Sequence, residues 1–278
     1  MGFRINTNES SISAQRSLSS VTRDRQKTLN KLSSGERINS ASDDAAGLAI
    51  SEKMRSSIRS IRQADRNASD SIGLIQTAEG GLNELSGILI RMRELSVQSA
   101  SDTMGDQERS YSDLEFQGLK EEINRIVKAT QFNGIKLLDG EGDDLEFQIG
   151  PNNDARLDRI VFKRSELDAA PKELGLVGSE IGSKDGAREG LDVISGAISK
   201  ISEKRSKIGA LQNRMISTSN NLKILEENLS AAKSRIRDTD YAAMTAENTR
   251  LEILTTAGSS VLAQTNKQGI NALRLLDA

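Results

Sequence analysis

The stretch LDVISGAISKISEKRSKIGALQNRMISTSNNLKILEENLSAAKSRI, residues 191–236, determines the architecture of the chain. Apolar side chains recur in it every seven residues, and it contains no proline. The members of this row are Ile194, Ile201, Ile208, Met215, Leu222, Leu229 and Ile236. A sustained heptad row predicts one long helix with a continuous apolar seam, roughly 60 Å long at ~1.5 Å per residue. A helix of this length needs partners that are equally long.

Two other stretches can supply these partners. The first carries a second heptad row, formed by Met54, Ile61, Ala68, Ile75, Leu82 and Leu89. In the second, Phe116, Leu119, Ile123 and Ile126 are three and four residues apart, which predicts a shorter helix. We expect the three helices to share one core. Its central residues are Ile61, Ile75, Leu82, Leu89, Ile194, Ile201, Ile208, Met215, Leu222 and Leu229.

Two local signals mark the helix that carries the heptad row from Met54 to Leu89. Ser42 or Asp43 is expected to cap its first turn, because short polar side chains accept hydrogen bonds from the free amides there. Gly80 and Gly81 interrupt its interior, where each glycine costs ~1 kcal/mol relative to alanine. We interpret the glycine pair as a place where another part of the backbone approaches closely.

The composition excludes several classes of function. The 278 residues include no cysteine and no histidine, which removes thiol chemistry and the commonest general base and metal ligand. No phosphate-binding glycine loop is present, so we expect neither an enzyme nor a cofactor. The 38 basic and 40 acidic residues are interspersed, which argues against nucleic-acid binding. No apolar run suits a cleavable signal peptide or membrane insertion.

The two ends of the chain carry a sparser apolar pattern. Leu18 and Leu29, like Val21 and Leu32, are eleven residues apart, and an interval of eleven recurs near the other end. Such a period predicts nearly straight helices. The expected contact residues are Ile12, Leu18, Val21, Leu29, Leu32, Leu251, Leu254, Leu262 and Leu273. Burying one Leu contributes ~1.5–3 kcal/mol, whereas ordering the backbone costs ~1–2 kcal/mol per residue, so we expect these arms to order only on assembly.

The centre of the chain has a different pattern. Leu145, Phe147 and Ile149 alternate with polar residues, a turn follows at residues 150–153, and a second apolar run spans residues 160–162. This pattern predicts a β-hairpin, which needs the helices beside it because two strands are not stable alone. The acidic run at residues 139–144 lacks the spacing of a calcium-binding EF-hand loop and is interpreted as a solvated turn.

Several blocks of the sequence resemble the bacterial flagellin family. Near the start these are LSSG (32–35), RINSA (37–41), DDAAG (43–47), REL (93–95), QSA (98–100) and TQFNG (130–134). Near the end they are SRI (234–236), DYA (240–242) and SVLAQ (260–264). Glu36 departs from the pattern, since an apolar or basic residue is usual there. The resemblance covers residues 1–140 and 190–278.

The resemblance implies a mainly α fold: a long antiparallel helical bundle or coiled-coil rod with paired terminal helices and a small β-hairpin region. It implies that residues 1–41 with 240–278 form the axial core of a flagellar filament. Residues 42–139 with 187–239 would form a helical rod around this core, and residues 140–186 would face outward.

The resemblance also implies partners and a location. The chain would form a helical homopolymer with itself and meet a flagellar secretion chaperone, the filament cap and hook-associated proteins. It would become extracellular through the flagellar type III channel, without a cleavable signal peptide. Arg91, Leu95 and Glu115 fall where the family presents its site for a Toll-like receptor.

Two other functions are consistent with parts of this pattern. A hook-filament junction protein shares the terminal architecture. A helical chemoreceptor-like signalling module would also contain long heptad arms, but it would need two such arms meeting at a tight tip. Here a hairpin region and the terminal arms intervene.

Overall fold

The computed structural model describes the backbone of residues 7–274 and the side chains of residues 7–267. The α-helices in this part of the chain are α1 (Glu9–Ser34), α2 (Ala45–Ser99), α3 (Asp106–Ala129), α4 (Pro171–Leu174), α5 (Lys184–Arg237) and α6 (Tyr241–Arg274). The strands are β1 (Gln131–Phe132), β2 (Ile135–Lys136), β3 (Leu145–Gln148) and β4 (Arg159–Phe162). The expected fold class is confirmed: the chain is mainly α, with long antiparallel helices, paired terminal helices and a small β region.

The chain divides into two compact units. One consists of Met1–Ser56 with Asn228–Ala278, and the other is Ser57–Glu227. We call them the terminal unit and the central unit.

The central unit contains one continuous apolar core. Polar contacts show that α2 and α5 run antiparallel: Arg62 Nε lies 2.6 Å from Glu226 Oε1, Ser219 Oγ donates to Asp65 at 2.6 Å, and Lys184 pairs with Asp102. The heptad rows of both helices therefore face each other. Their fully buried members include Ile75, Leu82, Leu89, Ile194, Ile201, Ile208 and Met215, joined by Phe116 and Ile123 of α3. Ile61 and Leu222 are also buried, and Leu229 is half-buried.

Close packing explains Gly81 but not Gly80, and the atoms that approach Gly81 belong to side chains and not to the backbone. A Cβ atom on Gly81 would lie 2.8 Å from both Leu138 Cδ1 and Thr130 Oγ1, closer than carbon and these atoms normally approach. A Cβ atom on Gly80 would meet nothing within 4 Å. One glycine of the pair is thus required by packing.

The predicted hairpin is present as β3 and β4. These strands pair antiparallel, with Leu145 opposite Phe162 and Phe147 opposite Ile160. Ile160 and Phe162 are buried in the core of the central unit, and the rings of Phe147 and Phe162 are 6.3 Å apart at an angle of 59°. The hairpin is therefore held by the helices beside it.

A second, smaller hairpin was not predicted. β1 and β2 pair antiparallel around Asn133 and Gly134, whose φ values are 49° and 79°. Both residues adopt the left-handed conformation that a tight two-residue hairpin loop requires, and Asn-Gly is the dipeptide best suited to it. This dipeptide was the available signal, inside a stretch that the sequence marks only as rich in turns.

The expected cap of α2, Ser42 or Asp43, is wrong. Asp44 caps the helix, since its Oδ1 accepts from the Gly47 amide at 2.9 Å. Asp43 instead accepts from the amides of Ser40 at 3.0 Å and Asn39 at 3.2 Å. These bonds, with that from the Ser40 hydroxyl, lower the pKa of Asp43. Its carboxylate closes the preceding turn and is not available to the helix.

Candidate self-assembly surface

The terminal unit is built on the pairing of α1 and α6. At one end Asn8 caps α1 by accepting from the Ser11 amide at 3.1 Å, and its Nδ2 donates to the Thr265 carbonyl at 2.9 Å. At the other end the Thr239 amide, just before α6, donates to the Gly35 carbonyl, just after α1, at 3.0 Å. The two helices therefore run antiparallel.

The seam between α1 and α6 repeats every seven residues. The buried and half-buried positions, three and four residues apart, include Ser11, Ala14, Leu18, Val21, Arg25, Thr28 and Leu32 on α1. On α6 they include Met244, Asn248, Leu251, Thr255, Gly258, Leu262 and Thr265. This is the spacing of a left-handed coiled coil. The expected period of eleven is wrong, because eleven residues also equal one heptad plus a four-residue step.

The seam contains few large apolar side chains. Among the described side chains of α1 and α6, only Thr28 and Leu251 are fully buried. Gly258 lies opposite Leu18, and a Cβ atom there would be 3.2 Å from Leu18 Cδ1. Arg25 Nε and Asn248 Oδ1 are buried without a hydrogen-bond partner, which costs ~1–3 kcal/mol for each such group. The helix pair therefore buries few large apolar side chains within one chain.

An ion-pair cluster joins the two chain segments at the end of this pair. The Arg37 amide donates to the Arg237 carbonyl at 2.6 Å. The Arg237 guanidinium pairs with Glu36, at 2.9 Å from Nε to Oε1, and with Glu52. The hydrogen bond that Arg237 donates to Glu52 is the main reason that the pKa of Arg237 is raised and that the pKa of Glu52 is lowered. Glu36, the departure noted in the sequence, is thus a member of this cluster.

A second apolar surface lies on α6 outside the seam. Ile253 and Val261 are 64% and 54% exposed, and Ala257 lies between them at spacings of four. At ~100° per residue these positions form a slanted stripe that lies about 160° (Ile253), 120° (Ala257) and 80° (Val261) around the helix from Leu251. We call Ile253, Ala257 and Val261 the outer stripe. It was not identified in the sequence, although its four-residue spacing was a visible signal. Ile253 and Ala257 of this stripe line a shallow groove together with the polar residues Glu252, Thr256 and Ser260.

The expected polymerisation residues divide into two groups. Leu18, Val21, Leu32, Leu251 and Leu262 lie in the seam. Ile12, Leu29 and Leu254 are exposed. The side chain of Leu273 lies outside the described residues.

The structure separates the three residues expected at a receptor site. Arg91 and Glu115 meet on the surface of the central unit, with Arg91 Nε donating to Glu115 Oε1 at 2.9 Å. This bond is the main cause of the raised pKa of Arg91. Leu95 is only 3% exposed and packs in the core.

Comparison with known proteins extends over nearly the whole chain. Residues 5–143 match a family described as the bacterial flagellin N-terminal helical region, and residues 191–276 match the bacterial flagellin C-terminal helical region. The chain is 46% identical to a flagellin of Halalkalibacterium halodurans over 98% of its own length and 99% of the relative's. It is 43% identical to a flagellar filament core protein of Brachyspira hyodysenteriae, over 98% and 99%.

Solved structures agree with these relatives. The crystal structure of Bacillus cereus flagellin matches with a TM-score of 0.51 and 31% identity, covering 56% of this chain and 88% of that one. A hook-associated protein structure from Vibrio parahaemolyticus, titled as putative, matches with a TM-score of 0.57 but 15% identity, so it supports the fold alone. Over the described residues, no helix is both long and apolar enough to cross a membrane.

Proposed function

The chain belongs to the bacterial flagellin family and is a structural subunit of the flagellar filament, and from this premise we propose how it polymerises. Residues 1–41 and 240–278 form the axial core of the filament, with α1 and α6 as its helices. Residues 42–139 with 187–239 form the helical rod around this core, and residues 140–186 face outward.

The observation that supports this proposal is that α6 carries exposed apolar side chains on a second face, away from its seam with α1. Leu251 and Leu262 lie in the seam with α1, whereas the outer stripe is exposed in the single chain. A helix whose apolar residues extend beyond one seam is typical of one that is buried on more than one face. Covering one Val or Ile contributes ~1.5–3 kcal/mol. In the filament, neighbouring subunits cover the outer stripe.

The weak seam supports a second part of the proposal. Ordering the backbone costs ~1–2 kcal/mol per residue, and the α1–α6 seam offers little apolar burial to offset this cost. We infer that the helix pair is only partly formed in the free subunit and becomes fully ordered when neighbours cover the outer stripe. Circular dichroism of monomer and filament measures this directly, and equal helicity in both states would refute it.

Charge on the outer stripe is the decisive experiment. We expect Val261→Asp to raise the critical concentration for seeded assembly at least tenfold, since ~1.4 kcal/mol corresponds to a factor of ten. The matched control is Val177→Asp, at an exposed valine of the central unit. Light scattering and electron microscopy after addition of wild-type seeds measure assembly.

The comparison requires that both variants are folded as monomers. Thermal unfolding of both is expected to match that of the wild type, because both valines are exposed in the single chain. Assembly of Val261→Asp at the wild-type critical concentration would overturn the proposal. Equal loss of assembly in Val177→Asp would also overturn it, because the effect would not be specific to α6.

The family resemblance supports the remaining partners. We propose that the subunit is exported through the flagellar type III channel to the outside of the cell, meeting a secretion chaperone, the filament cap and hook-associated proteins. We also propose recognition by a Toll-like receptor at Arg91 and Glu115, with Leu95 supporting the surface from below. Reporter-cell activation by monomer tests the receptor, and silence at saturating protein would refute it.

A further inference from the structure

One end of the β3–β4 hairpin carries a pocket rich in arginine. Its lining includes Arg156, Arg159 and Arg214, together with Asn213, Ser217 and Thr218, and contains no carboxylate. Arg159 pairs with Glu146 at 3.2 Å, whereas neither Arg156 nor Arg214 forms an ion pair with another described residue. We call this site the arginine pocket.

The carboxylates nearest to the arginine pocket in sequence are already engaged. Asp154 Oδ1 accepts from the amides of Arg156 at 2.8 Å and Leu157 at 3.2 Å. Asp158 is buried, and its Oδ2 accepts from the Asp154 amide at 3.0 Å. These bonds shape the loop, and they leave the guanidinium groups of Arg156 and Arg214 to be matched by an anion from outside the chain.

The other end of the hairpin carries an acidic loop, residues 139–144. Its shape is held by Arg164, which pairs with Asp139 at 3.2 Å and donates its amide to Asp144 Oδ1 at 3.2 Å. Glu141 and Asp143 are exposed and form no ion pair with another described residue. The loop therefore presents two unmatched carboxylates.

The acidic loop and the arginine pocket lie at opposite ends of the same short hairpin. The loop precedes Leu145, which pairs with Phe162, and the pocket surrounds the end where Gln148 pairs with Arg159. Four residues of strand span roughly 13 Å at ~3.3 Å per residue. A salt bridge requires contact within about 4 Å, so the loop and pocket of one chain do not match each other's charges.

We propose that the arginine pocket receives the acidic loop of a second copy of this chain, with Glu141 and Asp143 facing Arg156 and Arg214. Two different, complementary patches on one chain produce a head-to-tail contact, which repeats as an open helical filament when the rotation between neighbouring copies does not close into a ring. The inference rests on the proposed polymerisation, since only neighbours held in one direction bring the two patches together. It adds a contact in the central unit to that of the outer stripe.

Charge reversal and its compensation test the contact. Arg156→Glu with Arg214→Glu is expected to raise the critical concentration about tenfold at low salt, and adding Glu141→Arg with Asp143→Arg is expected to restore it to within about threefold. The matched control is Lys172→Glu with Lys223→Glu, two exposed lysines outside the pocket. Near 1 M salt, where the Debye length is ~3 Å, the difference between the reversed variant and wild type is expected to disappear.

The outcomes separate this contact from the outer stripe. Thermal unfolding of each monomer confirms that the variants fold. If Val261→Asp blocks assembly while the double arginine reversal has no effect, the inference is wrong and the proposed polymerisation stands. The inference is also wrong if the variant with all four substitutions does not recover assembly. So does binding of inorganic phosphate that depends on Arg156 and Arg214 without any effect on assembly, because the pocket would then serve a small anion.

Discussion

The central and terminal units are both helical, but they differ in how many apolar side chains each buries. The buried apolar side chains of the central unit form one cluster, to which three helices and a hairpin contribute residues between Ala68 and Met215. In the terminal unit, α1 and α6 share a narrow seam, and α6 leaves Ile253 and Val261 exposed. We propose that this difference separates two tasks: the central unit is stabilised within one subunit, and the terminal unit is completed by other subunits.

The largest expected effect compares a buried charge in each unit. Met215→Asp places a carboxylate among fully buried side chains and is expected to abolish cooperative unfolding of the core, a loss of more than ~4 kcal/mol. Leu251→Asp, at a buried position of α6, is expected to remove only the helicity of the terminal pair. Circular dichroism during heating distinguishes the two. If Leu251→Asp lowers the main transition as much as Met215→Asp does, the separation of tasks is wrong.

An intermediate effect compares three glycines. Gly81→Ala is expected to destabilise the central unit by ~1–3 kcal/mol, because its Cβ would lie 2.8 Å from Leu138 Cδ1. Gly80→Ala has free space and is expected to stabilise by ~0.5–1 kcal/mol through helix propensity. Gly258→Ala is expected to be nearly neutral, since half-buried Leu18 can move. Urea unfolding ranks the variants, and a stabilising Gly81→Ala would contradict tight packing there.

The smallest expected effect is a pH dependence of the terminal unit. The pKa of Glu52 lies below its ordinary value of 4.5 because Arg237 bonds to the carboxylate. A lowered pKa stabilises the folded state above that ordinary value, and this stabilisation is lost as the pH falls through the lower folded value. The difference in terminal-helix melting between Glu52→Gln and wild type should therefore shrink below about pH 4.5.

The control for this pH series is Glu121→Gln, an exposed carboxyl of α3 without an ion pair in the described part of the chain. It is expected to follow the wild type at every pH. A Glu52→Gln difference that stays constant down to strong acid would show that charge is not the cause.

Heptad rows predicted the long helices well because burial on one face leaves a periodic record over many turns. The row from Ile194 to Met215 lies in the core, and the alternation at Leu145 and Phe147 gave the hairpin. The Asp43 cap was wrong because two adjacent aspartates offer the same chemistry, and only the turn geometry selects Asp44.

The terminal helices were harder to interpret from the sequence. Their seam uses Ser, Thr, Gly and Asn at heptad positions, so the few leucines left an apparent interval of eleven. Ile253 and Val261 were not predicted, because they belong to a separate apolar row outside the seam, and the spacing of the seam residues does not reveal that row. A sequence pattern therefore predicts the residues that a helix buries within one chain better than apolar residues that stay exposed in the single chain.

The hydrogen bond from Asn8 to the Thr265 carbonyl joins residues 257 positions apart, and this separation determines when α1 and α6 can pair during synthesis. At ~5–20 residues per second, a ribosome needs about 13–50 s to make the partner of α1 after α1 itself. Throughout that interval Leu18 and Val21 have no α6 to pack against. The two helices therefore pair only after nearly the whole chain has been made, whereas α2 and α3 are neighbours in sequence and are both made early.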